Sequence, residues 1–527
     1  MANNVEQFSS QLSAKIWGHR FKDGQRGPEY VLEFFNVIYG TKYQLNADMY
    51  FRKKSTNLRK FIFEGVKEGS KRDTAKLDEE SKNSLYGLYD TSGEGTERVE
   101  VIREFFRNLE VPLVDGKGKE ADRSWYARTL YPLHESLLFF ELRKNGESIS
   151  YERNFFARGG ELYYLMISYG TQKDPKLKLS IEDKLSALLT KNVSLERIVD
   201  TISNALGDEK NEKDLYPLKK FTQQKENNEY PFLPIIEHSL FDKFALELDQ
   251  LLSLNIDVYE MFKLLTSLVS FQLTRYMYER SKPYEAYNTL YFFDCLDGQN
   301  SQILKHSANS FKRNELLIKD KLEEYFVEEF MNNIGTAEAV NNQLLMWKDN
   351  PNTFLELQGL SKLQSRKQPV IKSLLSCKNY QDVTTKLLKT VREVVSDQLK
   401  RQQTAIVRTL CRDGGLGNYK AGTNYRYTMT DNFIQSLVFA NVKPGETMEF
   451  SGFLEAIYQE YGFVIGDIQA KQSGLYESSK LNISYYNKNV LALRSKLKKN
   501  GLLIEYSDAT AMIRNPYDVV EGVVVYE

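Results

Sequence analysis

Proline is scarce in this chain, with 12 in 527 residues, and that scarcity is the strongest constraint on its fold. A proline inside a helix removes a backbone donor and clashes with the preceding turn, at a cost of about 3 kcal/mol. A long chain that nearly avoids proline and is rich in Leu, Lys and Glu is free to run as helix after helix. The spacing of its apolar residues follows that pattern from 237 to 411, with helices expected at 237–254, 257–280, 286–296, 310–332, 337–348, 366–376 and 379–411. Of these, 258–273 is apolar over most of its length. Glu260, Lys263 and Gln272 interrupt it, and it falls short of the roughly 20 residues a membrane span needs, so we read it as a buried helix.

The first third is also mainly helical. Gly27-Pro28-Glu29 is a good helix entry, and Tyr30, Val31, Phe34, Phe35 and Ile38 then repeat at helical spacing. Further amphipathic helices are expected at 98–109, 127–145, from Gly160, and at 194–206, with 64–98 as a mobile connection. The charged, amide-rich run 208–230 is expected to be a linker. Four glycines, at 414, 415, 417 and 422, close the long helix and suggest a flexible hinge.

After that hinge the pattern changes. Helices are expected from Thr430 or Asp431, from Ser451, and over 482–499, where Asn500-Gly501 is a strong stop. Two short strands then flank the turn Ser507-Asp508. Three helices followed by a β-hairpin is the order of a winged helix. The expected fold is therefore mainly α: a multi-domain helical body with a C-terminal winged-helix-like (α+β) domain. The expected units are 1–98, 99–207, a linker at 208–230, 231–411, the hinge at 412–428, and the winged-helix-like domain at 429–527.

Composition limits what such a chain can do. Equal numbers of basic and acidic residues, 71 of each, exclude a uniformly cationic surface, so any polyanion contact has to come from a local patch. The 3 cysteines stand far apart and fit neither a disulfide framework nor a zinc site. The opening residues carry no apolar core of signal-peptide type, which points to the cytoplasm.

The best candidate for function is the helix at 482–499. Tyr486, Val490, Leu493 and Leu497 form its core-facing row. Lys488 and Lys499 lie opposite that row, with Arg494, Lys496 and Lys498 on its shoulders, and no acid occurs between Lys480 and Ile504. In a winged helix this element enters the DNA major groove while the hairpin reaches the backbone. The lysines, with Arg514 on the hairpin, would meet phosphates, and Asn487, Asn489 or Arg494 would touch base edges. The plainer reading is a solvated lysine-rich face on a module that docks protein.

Other candidates are weaker. Arg52, Lys53, Lys54, Arg59 and Lys60 stand among Tyr50, Phe51, Phe61 and Phe63; they fit a single-strand grip, and more simply a strand pair with rings inward and cations outward. The loop GGLGNYKAG lacks the Gly-Lys-Ser/Thr of a phosphate-binding loop. Arg158-Gly159-Gly160-Glu161 opens a helix, where a tight turn suffices as the explanation. His19, His134, His238 and His306 are scattered, and the carboxylates form helix faces instead of a catalytic pair. We therefore expect no cofactor, no metal and no catalytic site.

Three patches, WGHRF…GPEYVLEFFNV, FFARGGELYYL and FSGFLEAIYQEYGFVIG…NVLALRSKLKKNGLLIEYSDATAMIRNPY, together resemble accessory proteins of prokaryotic anti-phage operons. The similarity is to the non-catalytic helical partners found beside an ATPase or helicase in phosphorothioation-dependent restriction and methylation-associated defence. It implies a DNA-binding, scaffolding subunit that works by recruitment or sensing, with DNA and an ATPase or helicase subunit as partners and no membrane. A regulator that binds only protein, or an unrecognised nuclease, are the other readings.

Overall fold

The structure, a computed structural model, describes residues 12–18, 21, 25–67, 74–89, 95–114, 119–120, 123–139, 142–145, 148–151, 158–207, 215–218, 232–361, 366–419, 424–474, 482–506 and 510–518. Helix makes up 64% and strand 8%, so the protein is mainly α with small sheets. The helix Val258–Arg280 is the axis of the molecule. It is buried on nearly every side, as an apolar, unbroken helix must be. Asp257 caps its first turn by accepting from the Tyr259 and Glu260 amides. Around it pack Gly27–Gly40, Ser239–Leu252, Leu388–Asp413 and Asp431–Asn441. Among the described residues no helix is long and apolar enough to cross a membrane.

The helix Gly159–Gly170 crosses Gly27–Gly40 closely, and glycine is what permits it. A Cβ on Gly160 would sit 2.6 Å from both Glu33 Cβ and Tyr30 O. Two of the sequence patches that stand 119 residues apart are thereby brought into one interface. A second pair, Ser301–Ile334 and Leu388–Asp413, packs along its length, with Ala337–Asp349, Pro351–Leu357 and Lys367–Ser376 closing the far end. At 1.5 Å per residue the first of these reaches about 50 Å.

Several expectations need correction. The segment 127–145 is not a helix: it holds two short 3-10 turns, Trp125–Ala127 and Glu135–Leu137, and the strand Leu142–Asn145. Pro132 lies in its middle and cannot continue a helix. The segment 286–296 gives the short strand Tyr291–Phe292, which pairs in parallel with Phe463–Val464. The stretch 64–98 contains the helix Glu79–Tyr89 and part of Gly95–Arg107. The glycine segment at 412–428 is packed over its described residues: Gly415 (φ 78°) leaves no room for a Cβ beside Thr430, and Gly417–Asn418 pairs with Arg426–Tyr427. Most of the linker at 208–230 and the Ser507-Asp508 turn lie outside the described residues. The described part of the linker forms the strand Leu215–Pro217 against Met49–Phe51.

The apolar cores do not follow the expected unit boundaries. One cluster runs from Leu12 through the central helices to Ile513, and a second gathers residues between Leu58 and Leu206. In the last hundred residues, Asp431–Asn441, Phe450–Tyr461 and Ile483–Lys499 accompany a three-stranded antiparallel sheet ordered Leu503–Glu505, Ala511–Arg514, Thr447–Glu449. The hairpin was legible in the sequence. The third strand, Thr447–Glu449, and the short helix Asp467–Gln472 were not.

Candidate nucleic-acid interface

The helix Ile483–Lys499 begins where the Asn482 side chain accepts from the Ser484 amide, and it stops at Asn500 with Gly501 in the left-handed region (φ 71°). Tyr486, Leu493 and Leu497 are buried as the spacing predicts, and Val490 is half-buried. His306 Nδ1 lies 2.9 Å from the Tyr486 hydroxyl.

Asn489 corrects the sequence reading. It is fully buried, not available to a base edge. Its amide nitrogen donates to Phe293 O at 2.9 Å and to Ile465 O at 3.0 Å, while its oxygen accepts from the Cys295 amide at 2.9 Å. These three bonds lock the helix onto two segments whose carbonyls and amide would otherwise be unpaired.

The opposite face is open. Asn487, Lys488, Leu491, Ser495, Lys498 and Lys499 are all exposed, and they recur at helical spacing along one side. Among the described residues neither Lys488 nor Lys499 has an acidic partner. Lys498 Nζ reaches Glu505 Oε2 at 2.9 Å, and Arg494 Nη2 reaches Glu505 Oε1 at 3.0 Å, so one carboxylate on the hairpin bridges two cations. The Lys498 hydrogen bond and charge, with Arg494 beyond, hold the Glu505 carboxyl below its usual range. Lys496 is turned toward the body: its ammonium bonds Asp297 at 2.8 Å and Met429 O at 3.3 Å, which takes it off the open face. Arg514 is exposed, with Nε donating to Gly501 O at 3.0 Å. Lys488, Lys498, Lys499, Asn487 and Arg514 are thus presented outward, Arg494 sits between ion pair and surface, and Lys496 is committed.

The second basic-aromatic segment is built differently from the expected strand pair. Met49–Phe51 is a strand, but Thr56–Ile62 is a helix, and two cations point inward. Arg59 is fully buried with its guanidinium 3.9 Å from the Phe139 ring centre and bonded to Tyr126 O. Arg52 lies 4.2 Å above the Tyr216 ring and pairs with Glu161 at 3.3 Å. This leads into a buried network. Arg158 Nε meets Glu161 at 2.6 Å, Arg123 meets Glu29 at 2.8 Å, and Glu33 accepts from the Gly160 amide at 2.7 Å and from Gln25 at 3.1 Å. Burial, aided by the neighbouring Glu161 charge, pushes the Glu33 carboxyl up to about 8. The network explains why 158–161 carries that sequence: it joins two helices, with Arg158 and Arg52 on Glu161 and a Glu33 carboxyl that burial favours in its neutral form.

A polar cavity of about 460 Å³ opens between the central helix and the tail, lined by Arg275, Glu279, Lys282, Tyr458 and Glu460 among others. Its charges pair internally, Arg275 with Glu247 and Glu460, and Lys282 with Glu279. Among the described residues no group of three or more His, Cys, Asp or Glu side chains converges as a metal site. No protein-family model, curated protein or solved structure matches this chain.

Proposed function

We propose that the chain is a non-catalytic DNA-binding and scaffolding subunit of a prokaryotic anti-phage defence or DNA-processing complex, acting by recruitment or sensing. Residues 429–527 serve in this reading as a winged-helix-like module. The helices Asp431–Asn441, Phe450–Tyr461 and Ile483–Lys499 followed by the hairpin support it, with Phe463–Val464 and Asp467–Gln472 inserted before the last helix, as does the placement of Thr447–Glu449 beside Ala511–Arg514 in a three-stranded sheet. The observation that carries the DNA reading is the two-faced helix Ile483–Lys499. One side is locked to the body through Asn489, and the other presents Asn487, Lys488, Lys498 and Lys499 with no acid on the helix. The ion pairs to Glu505 are solvent-exposed, and water and salt screen such pairs, which leaves them open to displacement by phosphate. In this reading the helical body, with its buried axis helix and the long pair Ser301–Ile334 and Leu388–Asp413, serves to dock an ATPase or helicase partner.

The test is a gel-shift assay on the purified chain at two salt concentrations, with and without Mg²⁺. Substituting Lys488, Lys498, Lys499 and Arg514 together by Ala is expected to weaken binding and to flatten its salt dependence by up to about 3 to 4 units of slope. Equal affinity in a folded variant rejects this surface, and metal-dependent loss of DNA points to a nuclease instead. A protein-only docking role has one observation in its favour: Leu491 is 59% exposed in the middle of the cationic face. Absence of any shift at low salt favours that reading.

A further inference from the structure

We propose that Glu505 is an internal competitor for phosphate, so that the tail accepts a dense polyanion such as duplex DNA and rejects weaker acidic partners. This rests on the DNA-binding reading of the same helix. The single carboxylate spans Arg494 and Lys498 at 3.0 and 2.9 Å, one above the other on adjacent turns of Ile483–Lys499. Two cations spaced by one helical turn are thereby tied to one hairpin strand, the element a winged helix lays along the DNA backbone. Anything that binds there first has to displace the carboxylate. A duplex offers one charge per about 1.7 Å of axis and gains counterion release at each contact, whereas an isolated acidic side chain brings only what Glu505 already supplies. The arrangement therefore raises selectivity at the expense of affinity, as an interface does when it penalises the wrong partner. Lys488 and Lys499, which have no acidic partner among the described residues, provide the initial attraction. Lys496 takes no part, since Asp297 and Met429 hold it on the other side.

Replacing the carboxylate by an amide of the same shape, Glu505→Gln, removes the competitor and leaves an exposed strand residue in place. Binding of a 20-base-pair duplex, a 20-nucleotide single strand and a poly-glutamate peptide is measured by fluorescence anisotropy at 50 and 200 mM salt, for wild type, Glu505→Gln and Lys488→Ala/Lys499→Ala. The amide variant is expected to bind duplex more tightly at 50 mM. The salt slope is set by the phosphates contacted, which are the same in both proteins once the carboxylate is displaced, so it is expected to stay close to that of wild type. The amide variant is also expected to bind poly-glutamate, which wild type rejects. Duplex binding that weakens in Lys488→Ala/Lys499→Ala while Glu505→Gln matches wild type in duplex affinity and in its rejection of poly-glutamate overturns the competitor role alone. Absence of duplex binding in wild type and in Glu505→Gln overturns the DNA reading and this inference with it. Duplex binding that appears only in Glu505→Gln overturns the selectivity role, since the carboxylate then excludes the duplex as well.

Discussion

Asn489→Ala is the substitution that most directly probes how the tail is attached. Truncation leaves the Cys295 amide and the Phe293 and Ile465 carbonyls without the partners they have at 2.9, 2.9 and 3.0 Å. Each buried polar group left unpaired costs about 1–3 kcal/mol, and water entering the space recovers part of that. A net loss of about 3–5 kcal/mol follows, a large fraction of the 5–15 kcal/mol that holds a folded domain together. The loss is local, because the three groups lie at one contact between Ile483–Lys499 and the segments at 293–295 and 465. Hydrogen exchange at the Cys295 amide reads it directly: 3 kcal/mol corresponds to roughly a hundredfold faster exchange, with protection in Val258–Arg280 unchanged. Asn489→Leu separates this account from simple packing. Replacing both members of a polar pair by apolar groups can be neutral, but here the partners are backbone and cannot be replaced. Leu is therefore expected to destabilise as much as Ala. A stable Asn489→Leu protein with a protected Cys295 amide would refute the reasoning.

Two further predictions concern the interface between Gly27–Gly40 and Gly159–Gly170. Gly160→Ala places a methyl 2.6 Å from Glu33 Cβ and Tyr30 O and should cost about 1–3 kcal/mol, seen as a lower denaturation midpoint. Glu33 has a carboxyl pKa raised from an ordinary 4.5 to about 8 by burial and by Glu161. Its contribution to stability is complete below the unfolded value and is lost as pH rises through the folded one. Stability is expected to decline between about pH 5 and pH 8, and Glu33→Gln should flatten that decline in urea midpoints taken at both ends.

How far local pattern reaches is clear from particular elements. The helices Val258–Arg280, Ala337–Asp349 and Asp431–Asn441 were legible within a residue or two, because apolar periodicity and a capping side chain at Asp257, Thr336 or Thr430 are local signals. The buried row Tyr486, Leu493 and Leu497 was legible for the same reason. Asn489 was not: as a polar residue near lysines it resembled a base contact, and only carbonyls brought from positions 293 and 465 make its burial favourable. Arg52 and Arg59 looked like surface cations until Glu161, Tyr216 and Phe139 closed over them.

The sequence by itself determined that this chain would be mainly helical, where Val258–Arg280 begins and ends, and which side of the tail helix is apolar. The tertiary structure decided which of that helix's cations remain open. Lys496 is committed to Asp297, 199 residues earlier in the chain, whereas Lys498 stays at the surface and shares Glu505 with Arg494 across the hairpin. The reason is physical: periodicity and capping act within a few turns, whereas a charge is paired or free according to which distant segment folding brings within about 4 Å of it.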